Sequence, residues 1–183
     1  MEIFKSGLIV AAAALSACAG TVAIKAAGGA AYYCGEVAFF SPDGRLPYGK
    51  TEAAVKREIL DNGARIVETV TQPAPSPSMP PKTIVTELKR RKGKLVYDAS
   101  DSGGTFTGTL TFKDAELKSW TYNIRLKAGG TVKGSGSLTA EGIKTAKQLT
   151  GGRPMSVKED LKVASEEQYT AAVNSMKPAF GAE

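Results

Sequence analysis

From Thr105 to Phe112 apolar and polar residues alternate: Phe106, Leu110 and Phe112 fall on one face, Thr107, Thr109 and Thr111 on the other. A period of two is that of a half-buried β-strand, with one face in a core and the other in water. The same parity groups Trp120, Tyr122, Ile124 and Leu126 in the segment Leu117 to Leu126. After Ala128-Gly129-Gly130 it groups Val132, Gly134, Gly136 and Leu138 in the segment Thr131 to Leu138. A hairpin register that keeps these apolar faces together sets Trp120 against Gly136 and Tyr122 against Gly134, because directly opposed residues point to the same side. Large rings over bare backbone have two readings: aromatic rescue of glycine in a curved sheet, or an interior cavity walled by aromatics.

Earlier in the chain, Tyr33, Val37 and Phe39 alternate with Tyr32, Cys34, Glu36 and Ala38, and the run stops at the turn sequence Ser41-Pro42-Asp43-Gly44. Thr51 to Gln72 is ambiguous. Thr51 to Glu58 has the composition of a helix start, whereas Asp61-Asn62-Gly63 between Lys56–Leu60 and Arg65–Val70 has that of a hairpin turn. The β-branched residues of the second arm favour the hairpin. The stretch Pro73 to Pro81 is proline-rich and is expected to be an extended surface loop. Strands are expected at Thr83–Lys89 and Lys94–Ser100, around the basic tip Arg90-Arg91-Lys92-Gly93.

Thr139 to Gly152 reads as either a short helix or an irregular strand. Met155, Val157, Leu161 and Val163 then resume the alternation, with Glu159 as the exception. Ser165-Glu166-Glu167-Gln168 has the spacing of a capping box, and Tyr169, Ala172, Val173 and Met176 make an apolar stripe at helical spacing. A helix over 165–177, ended by Pro178, is therefore expected to dock on the sheet. Consecutive strands with short connections and one terminal helix predict a mainly β fold. The expected form is an antiparallel meander of about eight to ten strands closing into a barrel or half-barrel, since closure removes exposed edges.

The amino-terminal segment has a different texture. Gly7 to Leu15 is a compact apolar run after Lys5, too short to span a bilayer, and it ends in Leu15-Ser16-Ala17-Cys18. Those four residues resemble the lipobox of bacterial lipoproteins. The resemblance implies cleavage of a signal peptide over 1–17, a diacylglyceryl thioether and an acylated amine on Cys18, and a protein anchored at the inner or outer membrane of the cell envelope, facing the periplasm or the cell surface. Ordinary cleavage after Ala19, where Ala17-Cys18-Ala19 also fits the small-x-small pattern, and an uncleaved terminus are the competing readings. Residues 18–30, rich in Ala and Gly, read as a tether to a single domain over 31–177. An acylated Cys18 leaves Cys34 as an unpaired thiol; an unmodified Cys18 leaves a disulfide between the two open.

Composition then narrows the chemistry. The 183 residues contain no histidine, which removes the commonest general base and metal ligand, and every Ser-His or Cys-His arrangement. Gly134-Ser135-Gly136-Ser137 lacks the third glycine of a phosphate loop, and Lys133 and Ser137 stand where a nucleophile elbow needs glycine. Asp98, Asp101 and Ser102 lack the twelve-residue pattern of a calcium loop and read as a solvated turn. No enzymatic activity, cofactor or metal is expected. The formal charge is +6, and its densest cluster is Lys89-Arg90-Arg91-Lys92 with Lys94. At a hairpin tip that cluster protects against edge pairing or, near a membrane, has Arg90, Arg91 and Lys92 touch anionic headgroups. Nucleic acid is not an expected partner, because no aromatics interleave the charges.

The strand texture resembles lipocalin-like barrels in architecture. That resemblance implies a non-enzymatic binding module for a small apolar or amphipathic ligand, with Phe106, Phe112, Trp120 and Tyr122 as wall residues. The alternative expectation is a structural or assembly lipoprotein that contacts an envelope protein or an anionic envelope lipid.

Overall fold

The computed structural model describes residues 29–74 and 79–176. Ten antiparallel strands follow one another around a closed barrel: β1 (Ala30–Phe40), β2 (Pro47–Leu60), β3 (Arg65–Gln72), β4 (Lys82–Arg90), β5 (Val96–Asp101), β6 (Phe106–Phe112), β7 (Ser119–Leu126), β8 (Thr131–Thr139), β9 (Gly142–Thr150) and β10 (Met155–Ala164). β1 closes the ring by pairing with β2 on one side and β10 on the other. The helix α1 (Glu166–Ser175) follows β10 and packs outside β1 and β2, where the Tyr169 and Tyr32 rings stand 5.2 Å apart. This is the mainly β meander with a terminal helix that the alternation predicts, closed into a full barrel rather than a half-barrel, and its architecture agrees with the lipocalin-like resemblance.

Several boundaries differ from the sequence reading. Ala30, assigned to the tether, already pairs with Glu58 in the sheet. Leu117 lies in the turn before β7, at φ 58°. Ser165 is the N-cap of α1, receiving the Gln168 amide on its hydroxyl while Gln168 accepts from the Ser165 amide. Residues 177 and 178 lie outside the described residues, as do the expected signal peptide over 1–17, Cys18 and most of the expected tether. Asp61-Asn62-Gly63 does form the β2–β3 turn, all three at positive φ. The preceding strand is longer than the hairpin arm suggested and absorbs Thr51 to Glu58. Pro73 and Ala74, expected on the surface, are buried, whereas Met79 is exposed.

The up-and-down order gives the barrel two rims. The proximal rim holds the start of β1, the turns at 61–64, 91–95, 113–118 and 140–141, and the beginning of α1. The distal rim holds the end of β3, the start of β4 and the connections at 41–46, 102–105, 127–130 and 151–154. Every strand sends alternate side chains inward, and the outward ones are largely polar, as with Thr107, Thr121, Asn123, Arg125, Lys133, Lys144 and Gln148. Among the described residues the wall therefore carries no continuous apolar band of the kind that lipid tails require.

Inward glycines shape the ring. Trp120 opposes Gly136 and Tyr122 opposes Gly134, as the matched apolar faces predict. A Cβ on Gly136 would collide with the Trp120 indole, and one on Gly134 with the backbone of Ala146 and Lys147. Glycine is required at both places by close approach, and the missing side chains give the large rings room to lie across the neighbouring strand.

A candidate binding interior and a basic rim

The interior divides into two sectors. On β5, β6 and β7, Tyr97, Phe112, Trp120 and Tyr122 form a chain of rings: 5.3 Å from Tyr97 to Phe112, 6.0 Å to Trp120 and 6.3 Å to Tyr122, the first and last edge-to-face. These are favourable aromatic geometries. Tyr97 also donates its hydroxyl to the Gly63 carbonyl at 2.7 Å, tying the sector to the β2–β3 turn. Three of the expected wall residues, Phe112, Trp120 and Tyr122, are thus brought together. Phe106 is buried too, but it lies at the other end of β6, opposite Leu126. The indole of Trp120 is 0% exposed, so the rings pack against each other and their neighbours.

The second sector is charged. Arg57 on β2 and Glu68 on β3 are directly opposed, both fully buried, with Nη2 to Oε2 at 3.2 Å. Lys147 on β9 pairs with Glu159 on β10, also fully buried, and Thr145 donates its hydroxyl to the other oxygen of Glu159 at 2.7 Å. Glu68 is close enough to feel both Glu159 and Lys147, so the two pairs make one charge-balanced group of four. Each cation also faces a ring: the Arg57 guanidinium is 5.4 Å from the centre of Tyr33, and the Lys147 ammonium 5.3 Å from that of Tyr122. Lys147 opposes Gly134, which opposes Tyr122, so the bare glycine leaves the lysine room to cross to the ring. Lys147 thereby joins the charged sector to the aromatic one.

Burial governs these ionisations. Loss of water pushes the Glu68 carboxyl up, against the pull of the Arg57 guanidinium, and pushes the Lys147 ammonium down, against the pull of Glu159. A dry double ion pair is an expensive way to fill a core. Each ion loses several kcal/mol of hydration, and apolar replacements of similar volume are often as stable or more so. Periodicity alone does not point to any of these four residues, although Glu159 stood out as a break in the alternation.

The basic cluster sits on the proximal rim. Arg90 ends β4 and donates from Nε to the Lys94 carbonyl at 3.0 Å and from Nη2 to that of Gly93 at 3.3 Å. Arg91 donates to Asp98 across the hairpin at 2.7 Å, and Lys92 (φ 36°) and Gly93 (φ 73°) make the turn. Residues 90–94 are all exposed. The pairing with Asp98 accounts for one half of the acidic pair near the next turn. The other half, Asp101, accepts from the Thr105 amide and hydroxyl and the Phe106 amide, so both carboxylates serve turn geometry. Cys34 lies on the outer face of β1 between Lys162 and Ala54, half-buried, and burial pushes its thiol pKa up, away from the reactive thiolate. Comparison with protein-family models and with curated proteins finds no match to this chain.

Proposed function

We propose that this protein is a non-enzymatic binding module of the cell envelope, held by lipid on Cys18, whose barrel interior takes a small amphipathic ligand. The observation that carries the reading is Lys147, which spans from Glu159 to the Tyr122 ring and so joins a buried ion pair to an aromatic wall. An acidic headgroup would replace a glutamate as the partner of Lys147 or Arg57. An apolar body would replace ring-on-ring contact along Phe112, Trp120 and Tyr122, with Phe106 toward the distal end. Such an exchange keeps every buried cation paired, with the proton of the incoming acid passing to the displaced glutamate, the neutral form that burial already favours at Glu68. The rings are already in contact, so binding displaces them.

That displacement provides the assay. Trp120 is the only tryptophan in the chain, and it is fully buried. Titration with a medium-chain fatty acid is expected to shift or quench its emission saturably, and the shift is expected to be lost in Lys147→Met with Glu159→Leu. Unchanged emission, with no probe retained after gel filtration, would refute the interior reading. The anchor has its own support in Leu15-Ser16-Ala17-Cys18 and its own check, the intact mass of the exported protein.

A further inference from the structure

We infer that the proximal rim is a membrane-docking surface: the β4–β5 hairpin rests on anionic phospholipid headgroups of the membrane that holds the chain, and the barrel tilts with that hairpin down. The inference rests on the lipid anchor at Cys18 and on nothing about the interior ligand. β1 starts on the same rim that carries Arg90, Arg91, Lys92 and Lys94, so the anchored end of the chain and the basic tip share one end of the barrel. From Glu87 to Asp98 five cations (Lys89, Arg90, Arg91, Lys92, Lys94) face two carboxylates (Glu87, Asp98), a net charge of +3.

The rest of this rim is not basic. Asp61 pairs with Arg65, Lys118 pairs with Glu116, and Lys113 is matched in number by Asp114. On the far side of the ring, Glu141 in the β8–β9 turn, Glu166 and Glu167 at the start of α1, and Asp160 outnumber Lys144 and Lys162 by four to two, a net charge of −2. The rim is therefore polarised, with its positive side at β4–β5 and its negative side at β8–β9 and α1. Before a negative surface the positive side turns inward and the acidic side outward, which fixes a direction of tilt.

The reach is sufficient. The residues from Ala19 to Gly29 span at most about 40 Å when extended. A ten-strand barrel with the usual spacing and tilt is roughly 20 Å across. Each net positive charge near an anionic leaflet biases the orientation by about fivefold, so three favour the hairpin-down pose by on the order of a hundredfold, less as salt rises.

The test uses the full-length protein from its own membranes. Its intact mass is measured first, and an unacylated mature chain would overturn the anchor and this inference with it. The acylated protein is then reconstituted into vesicles of phosphatidylcholine alone or with added phosphatidylglycerol, and limited trypsin cleavage at Arg90–Lys94 is compared with cleavage at Lys127 on the distal rim. The ratio of hairpin to Lys127 cleavage is expected to fall by about tenfold or more with the anionic lipid and to recover in high salt. In Arg90→Gln/Arg91→Gln/Lys92→Gln, amide exchange of residues 91–95 is expected to be the same in both vesicles. An acylated protein whose cleavage ratio is the same in the two lipids would overturn the docking surface while leaving the anchor intact.

Discussion

Replacing Arg57 and Glu68 together tests whether the interior charges are held for stability. The pair lies 3.2 Å apart and neither side chain reaches solvent. At an effective dielectric near 20 and a charge separation of about 4 Å, the attraction is about 4 kcal/mol. The hydration forfeited is several kcal/mol for each ion, so the pair does not cover its own desolvation. Glu68→Leu alone leaves the Arg57 charge buried without its carboxylate and is expected to destabilise the barrel by about 3–5 kcal/mol. Arg57→Met with Glu68→Leu removes both charges at similar volume and is expected to be neutral or stabilising by about 1–4 kcal/mol. Urea unfolding followed by Trp120 emission measures both, since the buried indole becomes exposed only on unfolding. A double variant as unstable as the single one would show instead that the pair is a net source of stability.

The same variants carry a pH prediction. The Glu68 carboxyl is raised above its ordinary 4.5, so its contribution to stability is fully present below 4.5 and is lost as pH rises through the higher folded value. The double variant's advantage should therefore shrink as pH falls from neutrality toward 4.5; thermal melts across that window read it, and an advantage that grows on acidification would contradict it. Gly136→Val places carbon where the Trp120 ring lies and is expected to cost about 1–3 kcal/mol in the same urea assay. Ser165→Ala removes the N-cap of α1 and should cost about 1 kcal/mol, seen as faster amide exchange over residues 166–169 with the barrel amides unchanged, because no residue of that helix is fully buried.

The sequence is legible where the inward face is apolar and opaque where it is charged. β6, β7 and β8 alternate cleanly, and their register followed from matching apolar faces, down to the rings over Gly134 and Gly136. β9 was hidden because Thr145 and Lys147 occupy inward positions, so its apolar period is broken at the middle. Arg57 did the same to β2, where Thr51 to Glu58 has a helix-like composition, and Glu159 was visible only as an exception on β10. A charged side chain carries no mark of which way it points. Strand pairing sets that direction, and it depends on residues far along the chain. Phe112, Trp120 and Tyr122 of the aromatic sector were therefore readable in advance, Tyr97 was not, and the ionic half required the closed ring. The placement of the basic tip on the rim where β1 begins needed the full strand count, because one strand more or fewer before β4 would have moved it to the other end.

Native mass spectrometry of the protein released from its own envelope tests the binding role most directly. A population heavier than the acylated chain by one small amphipathic molecule is expected, and it is expected to be lost in Lys147→Met with Glu159→Leu. A folded wild-type protein that carries only its acyl increment under every gentle release condition would contradict the binding role.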